Sequence, residues 1–341
     1  MKVTITEIAK EAKVSIATVS RVLNNKSKGV SIETRNRILK IIEEKGYHPN
    51  AIARGLVTKK TKVIGLILPS ITNPFFPEIE RGIEDMATTL GYNIILCNTD
   101  YDKEREKKYL KLLIERQVDG IIYALSVERK NYESIDTLDK RGIPFVVFDK
   151  YVKNKDVPYI YTENEEAIYN MVKYVTEKGH KNIAYISGPL DYITARDRLR
   201  GYKKGLKCAN IEEDSSLIKY GPYSIEGGEI GVESLLKENK NFTAIVCAND
   251  LIAIGALKAL RKHKINVPED VSITGFDNID ITEVTCPRIT TVNQPKYEIG
   301  RMAVKMLIDL INGEKLENVS VVLKSDIVEK DSVKDIREEL L

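Results

Sequence analysis

The sequence predicts an α/β protein with a small helical head at its N-terminus. Residues 1–60 have the pattern of short amphipathic helices, whereas from Val63 onward apolar β-rich runs alternate with amphipathic helices. Alternation of this kind is typical of parallel sheets that are covered by helices on both faces. Because two such series follow one another, we predict a three-helix head and then two doubly wound parallel-sheet subdomains.

The composition agrees with a globular protein of two or three domains. The 341 residues are 43% hydrophobic and 30% charged. No run of about 18 uncharged apolar residues occurs, so we predict no membrane span. The first 14 residues carry charges where a secretory signal would be apolar, so we expect a cytoplasmic protein.

Charge is distributed unevenly between the two parts of the chain. Residues 1–60 contain 13 Lys and Arg against 5 Asp and Glu, a net charge of +8. The remaining residues contain 40 against 45, a net charge of −5. A basic head on a mildly acidic body is expected when only the head binds a polyanion.

The first two predicted helices form the beginning of the head. "ITEIAKEAK" has its apolar residues on one face, and Thr4 or Thr6 can cap its start. After a turn at "KVS", Ser15 is a suitable N-cap for "IATVSRVLNN". In this second helix Val19 and Val22 face inward. Two helices joined by a turn of about four residues are typical of the helix-turn-helix motif.

A third helix and a short fourth segment complete the head. "SIETRNRILKIIEEKGY" is capped by Ser31 and is predicted to bury Ile38, Leu39 and Ile42. His48 and Pro49 end this helix, and the next residues can form a short helix as far as Leu56. A helix of that length is too short to be stable alone, so it should fold only against a partner.

The body contains the alternating series. Its predicted strands lie at 63–69, 93–98, 118–123, 143–149, 157–163, 182–188, near 218, at 243–249 and at 271–277. Its predicted helices lie at 75–90, 103–117, 131–141, 164–179, 196–209, 224–238 and 250–263. Ligands of such sheets bind beyond the carboxyl ends of the strands.

Polar and aromatic residues follow several of these strands. They are Asn73, Phe75, Phe76, Asp149, Lys150, Arg198, Asn249, Phe276, Asp277 and Gln294. Carboxylates and amides can bind neighbouring hydroxyls, an arginine can span two oxygens, and aromatic rings can cover C–H faces. This combination suits a sugar ring. We expect the neighbouring Asp250 to cap the helix that follows it.

The sequence contains no recognisable catalytic motif. No GxGxxG follows the first strand, and neither GxxxxGK[ST] nor GxSxG occurs. The three histidines are far apart in sequence, and the four cysteines are scattered without metal-ligand spacing. We therefore expect a protein that is not an enzyme and that holds no metal or cofactor.

Motifs along nearly the whole chain, from about residue 3 to 328, resemble the LacI/GalR family of bacterial transcription regulators. They are "ITEIAKEAKVSIATVSRVLNN", "VSIETRNRIL", "GYHPNAIARGL", "GHKNIAYISG", "RLRGY", "VPEDVSITGFDN" and "TTVNQP". The body also resembles the periplasmic pentose-binding proteins. The resemblance implies a DNA-binding domain at 1–48, a hinge at 49–61 and an effector domain at 62–341. Its subdomains would comprise about 62–161 plus 292–323 and 162–291 plus 324–341.

The resemblance also implies which head residues meet DNA. The helix from Ser15 to Asn24 would lie in the major groove of a pseudo-palindromic operator bound by a homodimer, and Leu56 would wedge into the minor groove. The residues implied at the interface are Thr4, Ser15, Ile16, Ala17, Thr18, Ser20, Arg21, Asn24, Ser31, Thr34, Asn50, Ala53 and Leu56.

On the effector side, the strand-end residues match the ligand contacts of ribose-type binding proteins, and Tyr223 matches a further aromatic contact. Lys150 stands where an arginine is usual, so a point charge replaces a planar fork. We predict an unphosphorylated aldose as effector, with ribose first. Whether the sugar induces or co-represses depends on which state it binds better.

Two alternatives remain. "RGIEDMATTLGYNIILCNTD" and "RQVDGII" resemble the catabolite control branch of the same family, whose corepressor is a phosphorylated HPr protein. That mode uses a basic helix face after the Gln-Pro motif, where this chain has Tyr297, Lys305 and the acidic Asp309, so we rank it second. A solute-binding protein for sugar uptake is more remote, since it needs a signal peptide and leaves the basic head unexplained.

Overall fold

The computed structural model describes residues 3–23, 29–47, 60–124, 133–152 and 157–337. The chain divides into two compact units, the head at Met1–Lys62 and the body at Val63–Leu341. Asn24, Asn50, Ala53 and Leu56 lie outside the described residues, and so does most of the predicted hinge.

The described residues of the head form a bundle of three helices, each started by a hydroxyl side chain. They are α1 (Ile5–Glu11), α2 (Ile16–Leu23) and α3 (Ile32–Glu44). Thr4 caps α1 in a reciprocal capping box with Glu7. The Ser15 hydroxyl accepts from the Thr18 N–H, and the Ser31 hydroxyl accepts from the Thr34 N–H. The predicted caps are thus present.

The core of the head lies among these helices. Ile8, Val19 and Ile38 are fully buried in one apolar cluster. The prediction for α3 was wrong in one respect, because Leu39 is 41% exposed while Ile41 is buried. At 3.6 residues per turn, Ile41 shares the face of Ile38, whereas Leu39 is turned about 100° away.

The first lobe of the body, called the N-lobe, is a six-stranded sheet in which every described pairing is parallel. Its strands are β1 (Val63–Leu68), β2 (Asn93–Asn98), β3 (Gly120–Tyr123), β4 (Phe145–Phe148), β5 (Tyr159–Thr162) and β11 (Ser320–Leu323), in the order β11-β5-β4-β3-β1-β2. Its helices are α4 (Phe75–Thr89), α5 (Lys103–Glu115), α6 (Glu133–Lys140) and α11 (Lys296–Ile311).

Alternate residues of β1 enter two different cores. Ile64 and Leu66 pack with α4 and α11, whereas Ile67 packs with α5 and α6. Successive side chains of a strand point to opposite faces of the sheet, so helices cover both faces. The predicted doubly wound arrangement of this lobe is confirmed.

The second lobe, called the C-lobe, repeats the plan. Its strands are β6 (Ile183–Ser187), β7 (Ile218–Tyr220), β8 (Ala244–Cys247), β9 (Ser272–Asp277), β10 (Thr290–Asn293) and β12 (Asp326–Val328), in the order β12-β10-β9-β8-β6-β7. Only β12 runs antiparallel among these described strands. Its helices are α7 (Asn164–Glu177), α8 (Ile193–Cys208), α9 (Ile225–Lys237) and α10 (Asp250–Lys262), with short 3₁₀ turns at Ser215–Leu217 and Asp280–Glu283.

The chain passes between the lobes three times, after β5, after β10 and after β11. The predicted second crossing, between 291 and 292, falls inside β10. That strand pairs with β9 as far as Asn293, so the crossing follows Asn293. Among the described residues, no helix is long and apolar enough to cross a bilayer.

Candidate ligand pocket and nucleic-acid interface

A cavity lies between the two lobes of the body, where the carboxyl ends of their strands face each other. It encloses about 420 Å³, a volume that includes the open solvent at its mouth. Both lobes contribute to its walls. The lining residues are Pro69, Asn73, Phe75, Phe76, Tyr101, Asp149 and Lys150 from the N-lobe, and Tyr192, Thr194, Arg198, Tyr223, Asn249 and Asp277 from the C-lobe.

Nine of the eleven residues predicted to bind effector line this cavity, and two do not. Phe276 is fully buried in the core of the C-lobe, with its ring beneath Arg198. Gln294 is also buried, and its Nε2 donates to Asp277 Oδ1 over 2.7 Å. Both residues therefore support neighbours that line the cavity, and their direct contact with a ligand stays a prediction.

Arg198 is a buried cation that the protein holds from several sides. Its Nε donates to Asn164 Oδ1 and its Nη1 to the Ala248 carbonyl oxygen, both over 2.6 Å. The guanidinium carbon lies 3.8 Å from the centre of the Phe276 ring, and Nη2 is 3.9 Å from Asp277 Oδ1. The planar fork is thus fixed before any ligand binds, which reduces the entropy lost on binding.

Asp277 is the carboxylate at the end of β9. Burial raises its pKa, while Arg198 and Gln294 act in the opposite direction. Its backbone has a φ of 115°, an unusual value for a residue with a side chain. Gln294 fixes one carboxylate oxygen, so the group is oriented for hydroxyl hydrogens at the cavity wall.

The helix cap that was predicted for Asp250 is formed by its neighbour Asn249. Asn249 caps α10, because its Oδ1 accepts from the Ile252 N–H over 3.0 Å, while the residue also lines the cavity. Asp250 is the first residue of the helix and is fully buried. Its carboxylate accepts from the Thr291 hydroxyl over 2.6 Å and from the Ile279 N–H over 2.8 Å. The prediction that Asp250 caps the helix was wrong.

Asp149 and Lys150 form a charged pair of neighbours at the end of β4. Burial raises the pKa of Asp149, while Lys150 and Arg198 oppose that rise. Burial lowers the pKa of Lys150 to about 8, against the influence of Asp149 and Glu106. The ammonium lies 5.1 Å from the centre of the Tyr192 ring, a cation–π distance. Lys150 can therefore lose its charge near physiological pH.

Tyrosines form one side of the cavity, and the sequence reasoning missed two of them. Tyr192 lies 5.8 Å from Tyr101 and 6.0 Å from Tyr223, measured between ring centres. Tyr101 follows β2 by three residues, so the search beyond strand ends that identified Asn73 and Asp149 could have found it as well. Tyr192 and Thr194 stand where α8 begins, at Ile193 and not at the predicted residue 196.

In the described part of the chain, no group of three or more His, Cys, Asp or Glu side chains is placed so that it could hold a metal ion. His180 is buried, and its ring nitrogens contact the Thr243 hydroxyl, the Ser272 hydroxyl and the Lys334 carbonyl oxygen. Its partners are those of a structural hydrogen-bonding residue.

The head exposes one face of α2, with both apolar and polar side chains on it. In α2, Val19 and Val22 are buried, whereas Ile16, Ala17 and Arg21 are exposed. An exposed isoleucine, 47% accessible, is a side chain that can contact thymine methyl groups. The other described head residues predicted to meet DNA, Thr4, Ser15, Thr18, Ser20, Ser31 and Thr34, are exposed or partly exposed hydroxyl residues. Their contact with DNA stays a prediction.

Two protein families match the chain. Residues 61–328 match the periplasmic binding proteins and sugar binding domain of the LacI family, and residues 4–50 match the bacterial regulatory proteins of the lacI family. The two matches together cover the body and the head.

Similar proteins span almost the whole chain. The transcriptional regulator RegA of Clostridium saccharobutylicum is 40% identical, covering 97% of this chain and 99% of its own. Catabolite control protein A of Priestia megaterium is 38% identical, covering 98% and 100%. The ribose operon repressor of Halalkalibacterium halodurans is 36% identical, covering 97% of each.

Solved structures share the fold. The lac repressor dimer bound to operator and an anti-inducer is 25% identical, with a TM-score of 0.87 over 98% of this chain and 100% of its own. A regulator from Enterococcus faecium with bound ribose is 32% identical, with a TM-score of 0.72 over 81% of this chain and 100% of its own.

Proposed function

The chain belongs to the LacI family of bacterial transcription regulators, and from that premise we propose that a small unphosphorylated aldose, ribose first, controls its binding to operator DNA. It is a DNA-binding transcriptional regulator with a sugar-binding domain, and not an enzyme. The proposal concerns the effector, the way it acts and the assembly that responds to it.

The observation that carries the proposal is the composition of the cavity between the lobes. Asp149 and Lys150 reach it from one lobe, and Arg198, Asn249 and Asp277 reach it from the other. Such groups bind hydroxyls, and the surrounding aromatic rings offer flat faces to C–H bonds. A ligand with hydroxyls on its rim and apolar faces therefore suits it.

Ribose is the first candidate for two reasons. The strand-end residues follow the pattern of ribose-type binding proteins, and two relatives are a ribose operon repressor and a regulator with bound ribose. Lys150 is the departure from that pattern. It presents a buried ammonium, a point charge, in place of a planar guanidinium, so the preferred aldose can differ from ribose.

The proposed mechanism couples the cavity to the head through a dimer. An aldose bridging the lobes favours the closed body and changes how two heads are held for a pseudo-palindromic operator. A coupling of about 1–3 kcal/mol is sufficient when the linking segment is marginally stable. We propose a homodimeric, cytoplasmic repressor that needs no metal or cofactor besides the sugar.

Calorimetry tests the effector directly. Purified protein is titrated with D-ribose, D-xylose, D-galactose, D-glucose and seryl-phosphorylated HPr. We expect D-ribose to bind with the highest affinity, and Asp277→Ala to abolish that binding while unliganded operator binding persists. If none of the four sugars produces a binding signal, the proposal of an aldose effector is wrong.

Corepression by phosphorylated HPr is the second candidate, favoured by the likeness to catabolite control protein A. We rank this candidate below an aldose because of the surface formed by α4 and α11. The arginines described on that surface already have acidic partners. Arg81 pairs with Asp85, which also accepts from the Tyr297 hydroxyl over 3.0 Å, and Arg301 pairs with Glu298. Binding of phosphorylated HPr but no sugar in the titration would reverse the ranking.

A further inference from the structure

Lys296 is a buried lysine at the position where the chain enters the N-lobe for the second time. It is the first residue of α11, and its side chain is only 3% exposed. An ammonium group is stable in such a place only when its donors are paired, because an unpaired buried charge is very unfavourable. The identity of its partners therefore indicates what this residue does.

The partners of Lys296 come from both lobes. Its Nζ donates to the Asp277 carbonyl oxygen over 2.7 Å and to the Asn278 carbonyl oxygen over 2.9 Å, both in the C-lobe. It also lies 3.1 Å from Glu78 Oε2, in the N-lobe. Three donors thus meet three acceptors, two of them on one lobe and one on the other.

On the C-lobe side, Lys296 binds the turn that carries a cavity residue. Asp277 and Asn278 have φ values of 115° and 51°, so two consecutive residues occupy a region that side chains disfavour. The two carbonyl oxygens of this turn converge on the ammonium group. Lys296 therefore stabilises the backbone conformation from which the Asp277 carboxylate reaches the cavity.

On the N-lobe side, the same ammonium holds the helix that forms the opposite wall. Glu78 lies in the first turn of α4, just after Phe75 and Phe76, which line the cavity. α4 and α11 pack so closely that a Cβ on Gly82 or Gly300 would collide with backbone of the other helix. The Lys296–Glu78 pair is thus anchored in a rigid helix pair.

We propose that Lys296 is a positioning residue that ties the Asp277–Asn278 turn of one lobe to α4 of the other, and so couples sugar binding to lobe closure. The inference rests on the proposed function, because it concerns regulation at the same cavity. It assigns Lys296 no contact with the sugar. Glu78 is the second half of the tie and acts through Lys296.

Three variants separate this role from a general contribution to folding. Lys296→Met keeps the length of the side chain and removes the charge. Glu78→Gln removes the carboxylate that pairs with Lys296. The Glu78 side chain is 46% exposed, so we expect this variant to fold normally. Lys305→Met is the matched control, since Lys305 lies exposed on the same helix. Circular dichroism and thermal unfolding establish that each variant is folded.

Hydrogen exchange of the unliganded protein is the first measurement. The Ile279 N–H donates to Asp250 and the Asn278 N–H to Thr291, so exchange at these two amides reports the turn. We expect it to be about tenfold faster in Lys296→Met, and unchanged in Glu78→Gln and Lys305→Met. Exchange within twofold of wild type in Lys296→Met would overturn the proposal.

Titration with D-ribose is the second measurement. We expect the Kd to rise about tenfold in Lys296→Met and about threefold in Glu78→Gln, with no change in Lys305→Met. The double variant should bind no more weakly than Lys296→Met, because Glu78 acts only through Lys296. Independent effects of the two changes, or a wild-type Kd in Glu78→Gln, would contradict the tie. If the wild-type protein does not bind D-ribose, the proposal of ribose as effector is wrong. Hydrogen exchange of the unliganded protein then still tests whether Lys296 stabilises the turn.

Discussion

The guanidinium of Arg198 lies 3.8 Å from the centre of the Phe276 ring, and Phe276 itself does not line the cavity. The ring serves as a platform that fixes a cation facing the ligand. An arginine held in one plane loses little freedom when it binds two oxygens. The pairing therefore links the core of the C-lobe to the affinity of the cavity.

Phe276→Leu should weaken aldose binding, although Phe276 does not line the cavity. We expect a rise of about five- to tenfold in the Kd for D-ribose, because the stacking contributes about 0.5–2 kcal/mol to holding Arg198. Unfolding should become easier by about 1–3 kcal/mol. Phe242→Leu is the control, since Phe242 belongs to the same core but not to the cavity. A similar rise in Kd for both variants would show that general destabilisation is responsible.

The strand-end rule predicted most of the cavity because the carboxyl ends of parallel strands meet at one edge of a sheet. The position of a residue at a strand end does not show whether its side chain points into the core or into the cavity. Phe276 and Asp277 are neighbours on β9, and neighbours on a strand point to opposite faces. One therefore enters the core and the other the cavity, although both stand at the strand end.

The ends of helices and the inward-facing residues within them were harder to predict than the presence of the helices and strands. Asn249 and Asp250 are both good caps, and only the backbone of the structure decides that α10 begins at Asp250. In the head, "RILKII" offers several adjacent apolar residues, so the periodicity alone did not identify which of them face inward. The fold class was predictable because it depends on patterns summed over many residues.

Lys150→Arg should remove a pH dependence of aldose binding. Burial lowers the pKa of Lys150 to about 8, so the wild-type ammonium loses its proton between pH 7 and 9. The neutral amine is a weaker partner for sugar oxygens, and we expect the Kd for D-ribose to rise several-fold over that range. Arginine remains charged, so the variant should show a flat profile in calorimetry at pH 7, 8 and 9. An equal slope in both proteins would assign the titration to another group.

Asp250→Asn should change how stability depends on pH. Burial, reinforced by Asp277, raises the pKa of Asp250 above that of an unfolded carboxyl, near 4. The folded protein then holds this proton more tightly than the unfolded chain, so the stability that the group contributes declines as the pH rises above about 4.

The variant lacks this decline, and its amide can still accept from Ile279 and donate to Thr291. Between pH 5 and 8 we expect Asp250→Asn to gain at least about 1 kcal/mol in free energy of unfolding relative to wild type. Denaturant unfolding at the two pH values measures it, with the exposed Asp280→Asn as control. A constant difference between wild type and Asp250→Asn would refute the prediction.

Ile16→Ala should alter base selectivity more than overall DNA affinity. Ile16 is 47% exposed in the first turn of α2, whereas Val19 and Val22 of the same helix are buried. We expect about a tenfold loss on an operator selected from random duplexes, and a relaxed preference at one base pair per half-site. Leu39→Ala is the matched control, because Leu39 is an apolar head residue of 41% exposure on α3. Equal losses on selected and scrambled duplexes would argue against base contact by Ile16.

The most direct test is the operator Kd, measured by fluorescence anisotropy with and without saturating D-ribose, for wild type and for Asp277→Ala. We predict that the sugar shifts the wild-type Kd at least about fivefold, in one direction or the other, and leaves the Asp277→Ala value unchanged. An identical wild-type Kd in the presence and absence of the sugar would contradict control of DNA binding by the cavity between the lobes.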